Sequence, residues 1–429
     1  MEKTDIRYQT YVTILKEELV PALGCTEPIS LAYASAKARE LLGKRPERVS
    51  LEISGSIIKN VKSVIVPNTH HLKGPEAACA AGIVAGRSDR ELEVIAEVDE
   101  RAKQAIEDYL DSVTIETMAL ESGHVFDLIV TEYAGRDSAR VRITDQHTNI
   151  VLMEKNGQVL FEKPLDREPS DSAGQADRSL LNMADIWDFV TTFDLSDLSD
   201  LLDRQIRFNM TIAEEGLLGD YGANIGSVLL RTYGNDVANR AKAYAAAGSD
   251  ARMNGCELPV IINSGSGNQG ITCSVPVIEY AKELHVGKDH LYRALALSNL
   301  VAIHEKTGIG TLSAYCGAVC AGAGAGAGIA YLQNAGYEAV IHTVVNALAI
   351  VSGIVCDGAK ASCAAKIAFS VDAGLMGLAM YQNGQEFKGG DGIVMKDIEE
   401  TIRGIGRLGK DGMKETNREI ISLMLEGKV

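Results

Sequence analysis

Aromatic residues are scarce in this chain of 429 residues, at 5% with a single tryptophan, and there are only nine prolines. With few large rings, the interior has to be filled by aliphatic and small side chains; apolar residues at 46% and 42 glycines supply them. Positive charge is also in deficit. Forty-two Lys and Arg against 58 Asp and Glu leave a net charge of −16, which argues against nucleic acid or an anionic membrane surface as partner and leaves small molecules. The opening MEKTDIRYQTYVTILKEEL alternates charge with apolar residues and lacks the hydrophobic core of a secretory signal, so a cytoplasmic protein is expected. Eight cysteines in that setting read as reduced thiols and not as a disulfide framework. No C-x2-C pair is present, which disfavours a structural zinc ribbon, and no P-loop pattern occurs.

One long stretch imitates a membrane span. Residues 307–337 contain no charge, but ten of the thirteen residues 317–329 are Gly or Ala, which contribute little transfer free energy. The stretch reads as a buried helix of a bundle, followed by a second apolar helix over 339–356 that carries His342 and Asn346. Between residues 49 and 163 the texture differs: runs at 49–57, 61–68, 91–98, 124–133, 139–146 and 149–156 are β-branched or alternating and predict strands. A polar stretch at 164–178 marks a linker, and long helical patterns follow. The expected fold is α+β. It has a mostly helical catalytic domain (residues 1–45 packing on 173–429) and an inserted α+β domain at 46–172.

Chemistry-bearing residues gather in five places. Leu23-Gly24-Cys25-Thr26-Glu27-Pro28 lies between two helical patterns, so Cys25 sits near a helix N-terminus, where a thiol pKa falls and a base or nucleophile is available near neutrality. Thr26 and Glu27 are candidate substrate ligands beside it. Cys356 and Cys363 form a C-x6-C pair, with Cys316 a helix hairpin upstream and Cys320 competing for its place. Three such thiolates without an evident fourth ligand make an open metal site: soft ligands select iron-sulfur clusters, zinc or copper(I), and a cubane held by three of them leaves one iron free. Asn263-Ser264-Gly265-Ser266-Gly267-Asn268-Gln269-Gly270 follows an apolar run and is built to bind an anion, with backbone N–H groups converging and Asn263, Ser264, Ser266, Asn268 and Gln269 adding donors. His304 and Lys306 flank the cysteine-bearing segment. Two apart on a helix, they do not share a face, so one of them at most is expected to reach the site. Ser54 and Asn60 belong to a fifth segment, read as a substrate-facing loop or a plain surface turn.

Together, LGCTEPISLAYASAKA, NSGSGNQG, HEKTGIGTLSAYCG and CDGAKASC resemble the L-cysteine desulfidase family of serine dehydratase-like proteins over nearly the full length. That resemblance implies a [4Fe-4S] cluster on three cysteines, matching Cys316, Cys356 and Cys363, with Cys25 as the base. It implies the α,β-elimination of L-cysteine to sulfide, pyruvate and ammonia, with a helical domain beside an α+β domain. Iron-sulfur L-serine dehydratases are similar more loosely, having a wider gap between their last two ligands. The expected partner is an amino acid, with no nucleic acid and no membrane; a homo-oligomer is compatible with all of this.

Two rival readings remain at this level. A pyridoxal-phosphate lyase would use NSGSGNQG as phosphate cup and Lys306 or Lys360 as Schiff base. A non-catalytic sensor would use a cluster only to report oxygen or ligand.

Overall fold

Asp5, Asp99, Asn182, Asp236 and Asp397 each accept a backbone N–H at a helix start, and these caps set the beginnings of five helices: α1 (Ile6–Glu18), α5 (Glu100–Ser112), α6 (Met183–Thr192), α9 (Val237–Met253) and α15 (Ile398–Arg407). The other helices are α2 (Thr26–Leu42), α3 (Gly55–Val61), α4 (Pro75–Ala85), α7 (Ser199–Leu218), α8 (Ile225–Tyr233), α10 (Gly267–Glu283), α11 (Lys288–Ile309), α12 (Ala318–Leu332), α13 (Gly336–Ile350), α14 (Ser362–Gln382) and α16 (Lys414–Glu426). This computed structural model describes residues 1–165, 176–310 and 312–426, the side chain of Leu425 excepted. Most of the expected linker, and the boundary at 172/173, lie outside the described residues. The protein is α+β and mostly helical, as the sequence predicts.

Eight strands are described: β1 (Pro21–Leu23), β2 (Arg48–Ile53), β3 (Thr114–Ala119), β4 (Asp127–Ala134), β5 (Asp137–Thr144), β6 (Ile150–Lys155), β7 (Gln158–Glu162) and β8 (Pro259–Ile261). Six of them form one sheet in the order β3-β2-β4-β5-β6-β7, parallel only between β2 and β3. Period-two burial on β5 sends Ala139, Val141 and Ile143 to the covered face, where α2 lies against β4 and β5. Four of the expected strand runs are realised as β2, β4, β5 and β6. The runs at 61–68 and 91–98 are not strands: their Val64, Val66, Val94 and Ile95 are buried from turns and short helical segments.

In the helical part, α12 is the central element. It packs against α10, α11, α13 and α14, and all fifteen of its residues are buried. Its small residues are required by contact: a Cβ on Gly322 would fall 2.3 Å from the Ser370 carbonyl oxygen, and one on Gly324 2.5 Å from that of Ser298. The uncharged run is thus a bundle core, as expected. Among the described residues one helix, α14, is long and apolar enough to cross a membrane, and half of that stretch is buried against its neighbours.

Residues 1–45 divide in their packing. Helix α1 rests on α6 and α11, whereas α2 lies between the sheet and α4. A two-stranded ladder, Pro21 to Ile261 and Leu23 to Pro259, ties the segment before α2 to the segment before α10.

Candidate active site

The backbone places two of the cysteines. Residues 314–316 and 354–356 meet in an antiparallel bridge centred on Tyr315 and Val355, with Cys316 N donating to Ile354 O at 2.9 Å and Cys356 N to Ala314 O at 2.7 Å. The neighbouring Cys316 thiol, helped by the nearby Lys59 ammonium, outweighs burial and pulls Cys356 down to about 5, while the same pairing pushes Cys316 up. Cys363 lies in the first turn of α14, its Sγ 3.6 Å from Gly358 O. Gly358 makes the intervening turn: its φ is 93°, and a Cβ there would sit 2.1 Å from the Lys59 carbonyl oxygen. Lys59 in turn donates from Nζ to Cys356 O at 3.3 Å and to Asn417 Oδ1 at 2.8 Å.

These thiols open onto a cavity of about 110 Å³ that Cys25, Thr26, Glu27 and Asn60 line from one side and Ser264, Ser266, Asn268 and Gln269 from another. Four helices begin at its wall: α2 at Cys25, α10 at Ser266, α12 at Gly317 and α14 near Cys363. Each start carries roughly half a positive charge, so the backbone gives this wall a positive potential. Arg252 and Lys306 add side-chain charge. Arg252, buried at the end of α9, donates from Nη1 to Asn268 Oδ1 at 3.1 Å, and its Nε has no partner.

Cys25 stands where the sequence places it, as the N-cap of α2, but not in the expected state. Its buried Sγ donates to Glu27 Oε2 at 3.0 Å. Burial, and then the Glu27 charge, push the thiol well above its ordinary range, against the pull of Arg252. The helix N-terminus is outweighed, and Cys25 rests as a protonated thiol. Glu27 behaves oppositely: burial pushes it up, but His147 and the Cys25 thiol hold it down at about 2. Its Oε1 accepts from Asn60 Nδ2 at 2.9 Å, and Thr26 Oγ1 reaches Gly265 O at 2.8 Å, tying α2 to the anion loop.

Three expected site residues face elsewhere. Ser54 Oγ donates to Val125 O at 2.7 Å, Asn263 Nδ2 to Asn299 Oδ1 at 2.9 Å, and His304 Nε2 pairs with Glu399 at 2.8 Å. All three are structural ties, and none lines the cavity. Lys306 does line it, with its ammonium on the Gly310 carbonyl. Cys316 lines the cavity and Cys320 does not: the Cys320 thiol is fully buried beside Glu305. Sequence reasoning missed His147 and Arg252. A lone arginine closing an alanine-rich helix was the available signal for Arg252; His147 has none in its local sequence, and Lys59 belongs to the same segment as Ser54 and Asn60.

Three cysteine thiols around one cavity are the donor type that an iron-sulfur cluster takes. Among the described residues no three His, Cys, Asp or Glu side chains converge on one ion position. Cys316, Cys356 and Cys363 lie around a shared cavity; of the three, Cys356 is pulled down, whereas its pairing with Cys356 pushes Cys316 up and burial pushes Cys363 up. Cys25 is a fourth thiol on the wall, but its bond to Glu27 leaves it protonated and outside the ligand set.

A helical core beside a mixed sheet thus presents thiols and a glycine-rich loop to one cavity. The sequence pattern of the serine dehydratase alpha chain family matches residues 89–422, and the chain belongs to that family. A UPF0597 protein of Desulfitobacterium hafniense is 60% identical over 99% of this chain and 98% of its own length. UPF0597 proteins of Lachnoclostridium phytofermentans and Treponema denticola are 51% and 46% identical, over 97% and 98% of this chain and 100% and 98% of their own lengths. Members of the family are often iron-sulfur dependent, and membership points to a lyase-type enzyme.

Proposed function

We propose that this protein is an iron-sulfur-dependent lyase that eliminates sulfide from L-cysteine, giving pyruvate and ammonia. The observation that carries this reading is the gathering, at one cavity, of Cys316, Cys356 and Cys363 with the Cys25–Glu27 pair and the start of α10. A [4Fe-4S] cluster on those three cysteines supplies an open, Lewis-acidic iron suited to a sulfur leaving group.

The chain's own groups do the rest. The α10 loop and Arg252 hold the substrate carboxylate and lower the cost of building negative charge at Cα. Cys25, on the same wall, takes the Cα proton. At rest it carries its own proton, which passes to solvent before the thiolate can act as a base, a loss favoured when a positive charge against Glu27 offsets the repulsion between the two. The Cα–H electron pair forms the Cα–Cβ double bond, and the Cβ–S pair departs with sulfide. Aminoacrylate then tautomerises and hydrolyses to pyruvate and ammonia without help from the protein.

L-Serine is the second reading, favoured by the family to which the chain belongs. A pyridoxal-phosphate reading keeps Lys306, which lines the cavity, and loses its other candidate lysine. Lys360 pairs with Asp357 at 2.5 Å and does not line the cavity. The test is anaerobic reconstitution with iron and sulfide, removal of excess sulfide, and assay of sulfide and pyruvate from L-cysteine and L-serine. Broad visible absorption that bleaches in air, with turnover insensitive to hydroxylamine, is the expected result. An intact cluster with no product from either amino acid would leave a sensor in place of an enzyme.

A further inference from the structure

An amino acid brings two charges into the cavity, and the walls above account for only the negative one. Of the described residues that line it, Arg252 and Lys306 are cationic and Glu27 is the one carboxylate. A substrate whose carboxylate sits at the α10 loop carries its ammonium in with it, and a buried ammonium is unfavourable unless an anion or acceptors meet it.

Glu27 has capacity for such a partner on one side. Oε2 takes the Cys25 thiol at 3.0 Å, while Asn60 fills one of the two lone-pair sites of Oε1. His147 Nε2 stands 3.9 Å from that same Oε1, too far for a hydrogen bond, and is buried without a partner. The ring is held in place: it packs edge-on against Phe126 at 4.8 Å between centroids, and the residue's carbonyl accepts from Ser30 Oγ at 2.6 Å. His147 also adjoins the anion loop, since a Cβ on Gly265 would come 3.0 Å from its Cε1. Sites for ammonium and carboxylate are thus neighbours, as two groups on one Cα require.

We propose that Glu27 Oε1 and His147 Nε2 together receive the substrate's α-ammonium, and that this pair makes the cavity select α-amino acids over the corresponding carboxylic acids. The assignment rests on reading the cavity as an amino-acid site.

L-Alanine and propionate test this, because neither has a β-leaving group and they differ only in the ammonium. Titration calorimetry of the anaerobic cluster-loaded protein is expected to show L-alanine bound about thirtyfold or more tightly than propionate, the scale for a buried charge pair. Glu27→Gln brings that ratio close to one while leaving propionate within about threefold; His147→Leu lowers the ratio by a smaller factor. No preference in the wild type, or equal weakening of both ligands in Glu27→Gln, overturns the proposal. Should Glu27→Gln fail to fold, His147→Leu decides alone, since it leaves the Cys25–Glu27 bond in place. Preference for L-alanine without any elimination from L-cysteine or L-serine would sink the lyase reading and leave the ammonium pocket standing.

Discussion

Cys25 and Glu27, two residues apart at the start of α2, share one hydrogen bond of 3.0 Å, and the thiol is its donor. The carboxylate therefore holds the proton on the group proposed to act as base. In Cys25→Ser the hydroxyl keeps that bond but loses the acidity of a thiol. The expected outcome is a kcat lower by about 10²-fold or more with iron content per chain unchanged. Full turnover with an intact cluster would remove Cys25 from the mechanism.

The pH dependence follows from the same pair. Burial and the Glu27 charge both raise the Cys25 thiol, so the active base form grows as pH rises and kcat climbs on the alkaline side of neutrality. Neutralising the carboxylate in Glu27→Gln removes one of those causes, and the rising limb of the kcat profile shifts to lower pH. A limb that stays in place would show that Glu27 does not govern this proton.

Cluster ligation separates Cys316 from Cys320. Alanine at Cys316, Cys356 or Cys363 is expected to abolish iron and acid-labile sulfide uptake on anaerobic reconstitution. Cys320→Ala is expected to retain both and to cost on the order of 1 kcal/mol in thermal unfolding, because that thiol is packed away from the cavity. Iron retention by Cys316→Ala together with loss in Cys320→Ala would reverse the assignment.

Gly358 is expected to tolerate no side chain. Its positive φ and its approach to the Lys59 carbonyl both penalise alanine, by about 2 kcal/mol or more together. Gly358→Ala should melt earlier and load less iron, since the strained turn joins Cys356 to Cys363. An unchanged melting curve would contradict the turn geometry.

Asp250 provides a stability test away from the chemistry. Buried, with Oδ2 accepting from Ile225 N at 2.7 Å and Oδ1 without a partner, it is pushed up to about 6 by burial against the pull of its backbone donors. A folded-state pKa above the unfolded value of 3.8 means its contribution is fully present below pH 3.8 and is lost as pH rises through 6. Asp250→Asn, which cannot ionise, is therefore expected to be more stable than wild type at pH 8, on the order of 2 kcal/mol, with the advantage gone by pH 4. Calorimetric melting at the two pH values checks it.

Much of this was legible in the sequence where consecutive residues carry the signal. The uncharged Gly/Ala run could be a core helix because small residues permit close approach, and the NSGSGNQG loop could be an anion site because its neighbours along the chain are neighbours in space. Short apolar runs were ambiguous, as Val64 to Val66 and Val94 to Ile95 show: a buried turn and a buried strand look alike over a few residues. Membership in a motif also did not fix direction. Asn263 opens the anion loop but turns to Asn299, and His304 turns to Glu399. His147 was invisible for another reason: it is a single residue whose role exists only once distant segments have folded together. The state of Cys25 required knowing that burial and Glu27 both act on it, which a helix start alone does not reveal.

The bridge between residues 314–316 and 354–356 has a consequence for assembly. Two of the three thiols are spaced by main-chain hydrogen bonds on either side of Tyr315 and Val355, so their separation is established when the chain folds. On the proposed cluster reading, the entropy of gathering these two is spent in folding and not in metal binding. Cys363 is positioned differently, by a helix start and a glycine turn.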